Sequence, residues 1–384
     1  MNALRRPRQP RRLRRRAEGL SLVELLVGMA LMLVIVTAAS VVYLNTREAD
    51  SAQSRTSETI ETGTFALELI GRDLAQAWSY PVVLPPATEY SLNAAANRAP
   101  ALLLQSFPPV GWTDDTTNAA YRVGVFGCDG GQYNSATGTC VPTTAVSPNR
   151  SAPDSVVINY FSSEAARTPI GNRRDCNNAD AGNDTLNAVR KFNTVPITLG
   201  TVTRPSVENE NFPPSEPVFV SNRYGLVATA TEIDRQSINT FSLACNGNGA
   251  NGGAIASNNY QPLLLGVEDL QFTYGVFDLD PTSTSGATQS TPTQFLTATQ
   301  VATLPAIMVD GVSYANWNRV VAVRVCVMTR TLGSNARMAD KSGQARTYQD
   351  CTDDTPRDYE AGDRSIRVRT VKVVAVRNRM NQIY

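Results

Sequence analysis

Histidine is absent from the 384 residues, and only three lysines occur, Lys191, Lys341 and Lys372. Without histidine the commonest general base is missing, and with it the Ser–His and Cys–His pairs that activate a nucleophile. Transition metals also lose their most frequent ligand. No CxxC pair and no paired-cysteine zinc spacing occurs, which argues against a metal cluster. The Gly/Asn-rich stretch 245–259 (CNGNGANGGAIASNN) reads as a loop, too rich in those residues for a strand. It is followed by no Walker lysine and framed by no strand–loop–helix unit, so it is a poor phosphate cradle. Carboxylate or tyrosine chemistry is left, and no spacing points to it. The expectation is a protein that is not an enzyme and takes no cofactor. Proline is missing between Pro10 and Pro81. One helix can therefore run from 20 to 80, ~90 Å long at 1.5 Å per residue.

What is present begins with Gly19–Leu44, GLSLVELLVGMALMLVIVTAASVVYL. From Leu20 it carries a single formal charge, Glu24, and as a helix it reaches ~37 Å, enough for a ~30 Å hydrocarbon layer. Eight arginines precede it and none lies within it. That asymmetry holds the N-terminus in the cytoplasm and sends the chain beyond Leu44 across the membrane. The same eight arginines, against Glu18, hide an acidic remainder: the +1 of the whole chain becomes about −6 without residues 1–19. A mildly acidic protein is a poor partner for nucleic acid. A carboxylate five residues into an apolar helix is costly and marks a functional site. Gly28 is the evident soft point of the membrane half.

Residues 45–80 turn amphipathic. Ile60, Leu67 and Leu74 recur every seven, with Gly63, Ile70, Ala77 and Trp78 in the same stripe, and Glu68 and Arg72 form an i,i+4 pair. Pro81, Pro85 and Pro86 end the helix. Beyond them the pattern is β with long connections. Apolar or alternating runs fall at 101–107, 121–126, 155–161, 225–231 and 263–267, and most clearly at 267–277, 318–330 and 365–377. In NRVVAVRVCVMTR, Val321, Val323, Val325 and Val327 share a face, opposite Ala322, Arg324 and Cys326. In SIRVRTVKVVAVR the apolar set Ile366, Val368 switches to Val371, Val373, which predicts a bulge or bend near Thr370. Six cysteines in a translocated domain read as disulfides. Fifteen pairings are open; local closure favours Cys128–Cys140 and Cys326–Cys351, and elimination leaves Cys176–Cys245. Acidic groups at Asp278/Asp280, at Asp353/Asp354/Asp358 and at Asp175/Asp180/Asp184 match no twelve-residue calcium loop and read as solvated loop acids. Trp112 and Trp317 read as core or strand-end anchors.

A basic leader, then Gly19, Leu20, Ser21, Leu22, Val23, Glu24 and an unbroken apolar run, resembles the class III signal of type IV prepilins and type II secretion pseudopilins. The resemblance implies cleavage between Gly19 and Leu20 by a prepilin peptidase, and N-methylation of Leu20. It implies that Glu24, the fifth residue after the cut, docks on the freed amine of a neighbouring subunit. Leu20 stands where phenylalanine is commonest. FALELIGRDLAQAW (65–78), LLLGVEDLQFTYGVFDLD (263–280) and WNRVVAVRVCVMTR (317–330) are similar to the PilW family of minor pilins, and the first also to J-type pseudopilins. The implied fold is α+β and type IV pilin-like, a long N-terminal helix packed on a large antiparallel β-rich domain. Its parts are a basic leader at 1–19, a transmembrane helix at 20–44, an amphipathic stem at 45–80 and the β-rich domain at 81–384. The implied role is a minor pilin that primes a type IV pilus at or near its tip. Its implied partners are other minor pilins, the major pilin, the prepilin peptidase, the inner-membrane assembly platform and a large tip adhesin. It would sit in the bacterial inner membrane with its globular domain in the periplasm, and then in the extracellular pilus. Two alternatives stay open: a J-type pseudopilin of a type II secretion system, and a bitopic periplasmic receptor or enzyme with a prepilin-like start. For 45–80 alone, a juxtamembrane coiled coil is the rival.

Overall fold

The computed structural model describes residues 21–79, 119–135, 137–143, 151–162, 174–181, 197–199, 202–204, 218–233, 236–249, 259–277, 292–305, 307–309, 312–314, 316–332, 347–353, 355–359, 363 and 365–380. The chain divides into two compact units, Met1–Gln53 and Ser54–Tyr384. Helix α1 (Leu22–Gln76) supplies the described part of the first and continues into the second.

In the first unit α1 is apolar nearly all round as far as Leu44, and no residue of its most apolar window is buried. Its few polar side chains satisfy themselves on the helix. Thr37, Ser40 and Thr46 donate their hydroxyls to the carbonyls of Leu33, Val36 and Val42 at 2.7, 2.8 and 2.9 Å, as hydroxyls in an apolar medium must. The helix passes through Gly28 without a break. Among the described residues α1 is the one helix long and apolar enough to cross a membrane.

The second unit is built on strands β1 (Val125–Cys128), β2 (Gly131–Asn134), β3 (Thr139–Pro142), β4 (Ser155–Ser162), β5 (Ile197–Leu199) and β6 (Val202–Arg204). There follow β7 (Val218–Ile233), β8 (Gln236–Gly247), β9 (Gln261–Leu265), β10 (Val267–Val276), β11 (Gln294–Leu296) and the short helix α2 (Ala298–Ala302). The last elements are β12 (Ile307–Val309), β13 (Val312–Tyr314), β14 (Val320–Arg330), β15 (Thr347–Gln349), β16 (Pro356–Asp358), β17 (Arg367–Ala375) and helix α3 (Arg377–Met380). Among the described residues two antiparallel sheets dominate, β1-β4-β7-β8-β9 and β11-β10-β14-β17, beside four two-stranded ribbons. One core holds them together. It joins Ala66, Leu67, Ile70, Leu74, Ala77 and Trp78 of the helix end to Val156 and Ile158 of β4 and to Leu270, Phe272, Val323, Val325 and Val327 of the second sheet. Trp317 lies in that core, with its ring 4.9 Å from Phe126 and 5.0 Å from Tyr274.

The periodic strands lie where the alternation puts them. In β14 the odd-numbered valines meet partners of like burial, with Val323 opposite Tyr274 and Val325 opposite Phe272. Directly opposed residues share a face, so this row closes on the core, while Arg324 stays exposed with its guanidinium 4.5 Å above Phe295. Three disulfides, Cys128–Cys140, Cys176–Cys245 and Cys326–Cys351, fasten the second unit.

Four expectations are corrected. β17 has no bulge near Thr370: its ladder to β14 is regular from Arg367 to Ala375. Thr370 and Val374 face the helix, while Val371 and Val373, on the other side of this outermost strand, are 43% and 53% exposed. Their hydrophobicity suggested a second inward face, but an edge strand tolerates exposed valines without bending. Ile60 is 47% exposed, not part of the buried stripe. A straight helix drifts ~20° per heptad from a seven-residue repeat, and the face that is buried starts at Thr59 and Gly63. Residues 245–247 are not loop but the end of β8, paired with 222–224 of β7. Gly247 is needed there because any Cβ would collide with the carboxyl group of Asp175. Arg72 does not pair with Glu68; its Nε lies 3.5 Å from Asp73 Oδ1. The run 101–107, Pro81, Trp112, Asp184, Asp278, Asp280 and Asp354 lie outside the described residues.

Candidate functional site

Ser21 and Glu24 form a reciprocal pair at the start of α1. Glu24 N–H donates to Ser21 Oγ at 3.2 Å, and Ser21 N–H donates to Glu24 Oε2 at 3.4 Å. With Leu22 as the first helical residue, Ser21 is the N-cap and Glu24 stands at the third position, which is the capping box that S-x-x-E encodes. Two of the backbone donors that a helix start leaves unpaired are satisfied in this way, and the negative charge sits at the positive end of the helix dipole. The first intrahelical bond, from Leu25 N–H to Ser21 C=O, is 3.2 Å. Gly19 and Leu20 lie outside the described residues.

At its other end α1 is seated in the β domain by small and polar residues. Gly63 lets the helix approach β14 and β17: a Cβ there would come within 2.9 Å of Thr370 Oγ1 and 3.4 Å of Thr329 Oγ1. Thr329 uses the close approach to donate its hydroxyl to Thr59 C=O at 2.9 Å. One turn before the helix ends, Asp73 is 1% exposed. Its Oδ2 accepts hydrogen bonds from Tyr224 Oη at 2.7 Å and Asn222 Nδ2 at 2.6 Å, both on β7. Burial raises the pKa of Asp73 above the usual carboxylate range, against the hydrogen bond from Tyr224, the Arg72 charge and the Asn222 bond. Tyr224 is likewise raised, by burial and by Asp73 beside it. The helix stops at Trp78, whose φ of 64° no α-helix continues. Asn378 Nδ2 on α3 serves the last carbonyls, those of Ala75, Gln76 and Ala77, at 3.3, 3.2 and 3.2 Å. Asp73 escapes a reading of the sequence because it sits in a polar-looking IGRDLAQ stretch. Only its place at i+3 from Ile70, on the apolar stripe, signals its burial.

The remaining buried acids hold backbone and arginine. Asp154 Oδ1 accepts from Gly130 N–H at 2.7 Å and Oδ2 from Phe272 N–H at 2.9 Å, tying the two sheets together. Glu268 meets Arg330 at 2.9 Å and Arg367 at 2.8 Å. Asp363 pairs with Arg367 at 2.6 Å. Burial works against its charge, but hydrogen bonds from Ser365 and the charges of Arg367 and Arg330 prevail and lower its pKa to about 2. Asp175 spends its oxygens on the N–H groups of Asn177, Ala179 and Gly249. Among the described residues no group of three His, Cys, Asp or Glu side chains could hold a metal ion.

Family comparisons fall on these two ends of the chain. Residues 14–40, which contain Gly19, Leu20 and Glu24, match the prokaryotic N-terminal methylation motif. Residues 232–378, from the end of β7 to α3, match the type IV pilus-assembly protein W family. Nothing matches among curated proteins or among solved structures. The apolar start of the helix thus carries the N-terminal methylation motif, and over residues 232–378, which include the sheet that seats its far end, the chain is similar to the PilW family of type IV pilus-assembly proteins.

Proposed function

We propose that this chain is a minor pilin, made as a precursor in the bacterial inner membrane and incorporated at or near the tip of a type IV pilus, whose assembly it primes. Its N-terminus faces the cytoplasm and its β domain the periplasm. A prepilin peptidase removes residues 1–19, and Leu20 becomes the methylated N-terminus. Other minor pilins, the major pilin and the assembly platform of the inner membrane are its partners. The observation that carries this reading is one uninterrupted helix with two characters: apolar and exposed around Glu24, and packed into a β domain of PilW type beyond Ser54.

The mechanism is physical. In the membrane the apolar half rests against lipid; in a fibre it exchanges lipid for helix–helix contacts. A carboxylate that leaves water unpaired is strongly destabilised, and the α-amino group of an adjacent subunit supplies the compact cation that offsets the cost. Glu24→Ala should therefore leave the protein stable in the membrane and sharply reduce the number of pili per cell, counted by electron microscopy. Normal piliation in that variant would rule out the docking role. Gly19→Ala should slow leader removal, seen as accumulation of the larger, unprocessed band. Sequencing the N-terminus of the protein from sheared pili should begin at Leu20.

A further inference from the structure

We infer that β17 accepts an extended, acidic segment of a neighbouring pilus subunit as one more strand of its sheet. The source of that segment rests on the pilus reading above; the open edge does not. β17 is the outermost strand of the sheet β11-β10-β14-β17. Thr331 N–H donates to Ile366 C=O at 3.0 Å, and Val376 N–H to Val321 C=O at 2.8 Å. Bonded and non-bonded pairs alternate along an antiparallel ladder, so the even-numbered residues from 366 to 376 bond to β14. Arg367, Arg369, Val371, Val373 and Ala375 turn their backbone groups the other way. One end of this edge is closed, since Arg367 N–H donates to Tyr359 Oη at 3.0 Å. At the other end the chain leaves the sheet for α3, where Asn378 serves the end of α1. Between the two, Val371, Val373 and Ala375 are exposed. Among the described residues nothing bonds to their outward N–H and C=O groups.

Folded proteins blunt such edges with a proline, a bulge or a charge. Residues 371–375 hold no proline, and their ladder to β14 is regular. The one charge among them, Lys372, lies over the helix, its Nζ 3.5 Å from where a Cβ on Gly71 would be. The edge is left fit for pairing. The charge around it selects the partner. Arg324, opposite Val373, is exposed, as are Lys372 and Arg377, and neither 320–330 nor 367–380 contains an acid. A second β17 laid on the first would set these cations against their own copies, and like charges across a strand pair repel. A strand carrying alternate acids meets them instead, with main-chain bonds supplying affinity and the side chains supplying choice.

The probe is a short fluorescent peptide alternating glutamate with valine, titrated into the full chain in detergent and followed by polarisation. It should bind, and the same peptide with lysine for glutamate should bind about tenfold more weakly. Val373→Pro removes an outward N–H and no bond to β14, a place where edge strands tolerate proline. It should weaken the acidic peptide about tenfold. Arg324→Glu leaves the backbone alone and should narrow the preference between the two peptides, which keeps the test open if the proline variant misfolds. In cells, a benzophenone amino acid at position 371 should crosslink to an acidic segment of another pilus subunit, identified by mass spectrometry. Equal binding of the two peptides overturns the proposal, as does an unchanged preference in Arg324→Glu or full affinity in a folded Val373→Pro. A crosslink to a second copy of this chain, or to nothing, overturns it as well. If the acidic peptide does not bind, the edge proposal fails and the pilus reading stands, since leader removal and piliation test that separately. A peptide that binds, with a crosslink only to a protein outside the pilus, refutes the partner and counts against the pilus reading too.

Discussion

Replacing Asp73 by alanine should destabilise the second unit by ~2–5 kcal/mol, while Asp73→Asn should cost about 1 kcal/mol or less. The asymmetry follows from which oxygen is used. Tyr224 Oη and Asn222 Nδ2 both donate to Oδ2, and an asparagine carbonyl can take that place. The other oxygen faces only Arg72 Nε at 3.5 Å, on a side chain that is largely in solvent, so an amide there loses a weak, screened attraction. Alanine removes the acceptor altogether and leaves two buried donors facing nothing, each at the cost of desolvation without a bond, ~1–3 kcal/mol. Since these bonds join the last turn of α1 to β7, the loss should loosen the helix end and the five-stranded sheet together. The check is urea unfolding of the full chain in detergent, disulfides intact, followed by the fluorescence of buried Trp78 and Trp317. An Asp73→Ala midpoint equal to that of the wild type would show that the bonds contribute nothing.

That joint marks where the sequence is legible and where it is not. Alternation made β10 and β14 readable, because side chains two apart on a strand meet one face whatever the rest of the chain does; in β17 it located the strand but misplaced the face of Val371 and Val373. The proline-free stretch and the apolar run of α1 were readable for the same local reason; its helix begins at Leu22 and ends at Gln76. What failed depends on partners far away in sequence. Ile60 and Leu67 look alike in a heptad, and only the position of Thr329 and Thr370 decides that the buried face runs through Thr59 and Gly63. Asp73 looks like a surface acid until β7 brings Asn222 and Tyr224 to it. Asn246 and Gly247 look like a loop until Asp175 explains why a glycine must end the strand. The capping box was within reach, since S-x-x-E before an apolar run is its local signature.

Asp154 should make the stability of the domain fall as pH rises from about 4 to about 7. Its carboxyl is buried where the two sheets meet, and burial is the main cause that lifts its pKa from 3.8 to about 7. The N–H groups of Phe272 and Gly130 oppose the rise, and the neighbouring acids Asp129 and Asp269 add to it. Between those two pH values the folded chain holds a proton that the unfolded chain has released, so unfolding is favoured as pH increases. The stabilising contribution is complete below about 4 and gone above about 7. A shift of this size corresponds to ~4 kcal/mol at most. Asp73 contributes with the same sign. Asp363, whose pKa is lowered to about 2, has the opposite sign and loses its contribution only as pH falls below about 4. The difference between wild type and Asp154→Asn isolates one group from the others. Asparagine loses one of the two backbone bonds at every pH, which offsets the curve without tilting it. The difference in unfolding free energy should move against the wild type by up to ~1.4 kcal/mol per pH unit from 4 to 7 and level off above 7. A difference that stays flat over that range would mean that Asp154 is already ionised at pH 4, its charge held by the two N–H groups that join β10 to the turn after β1.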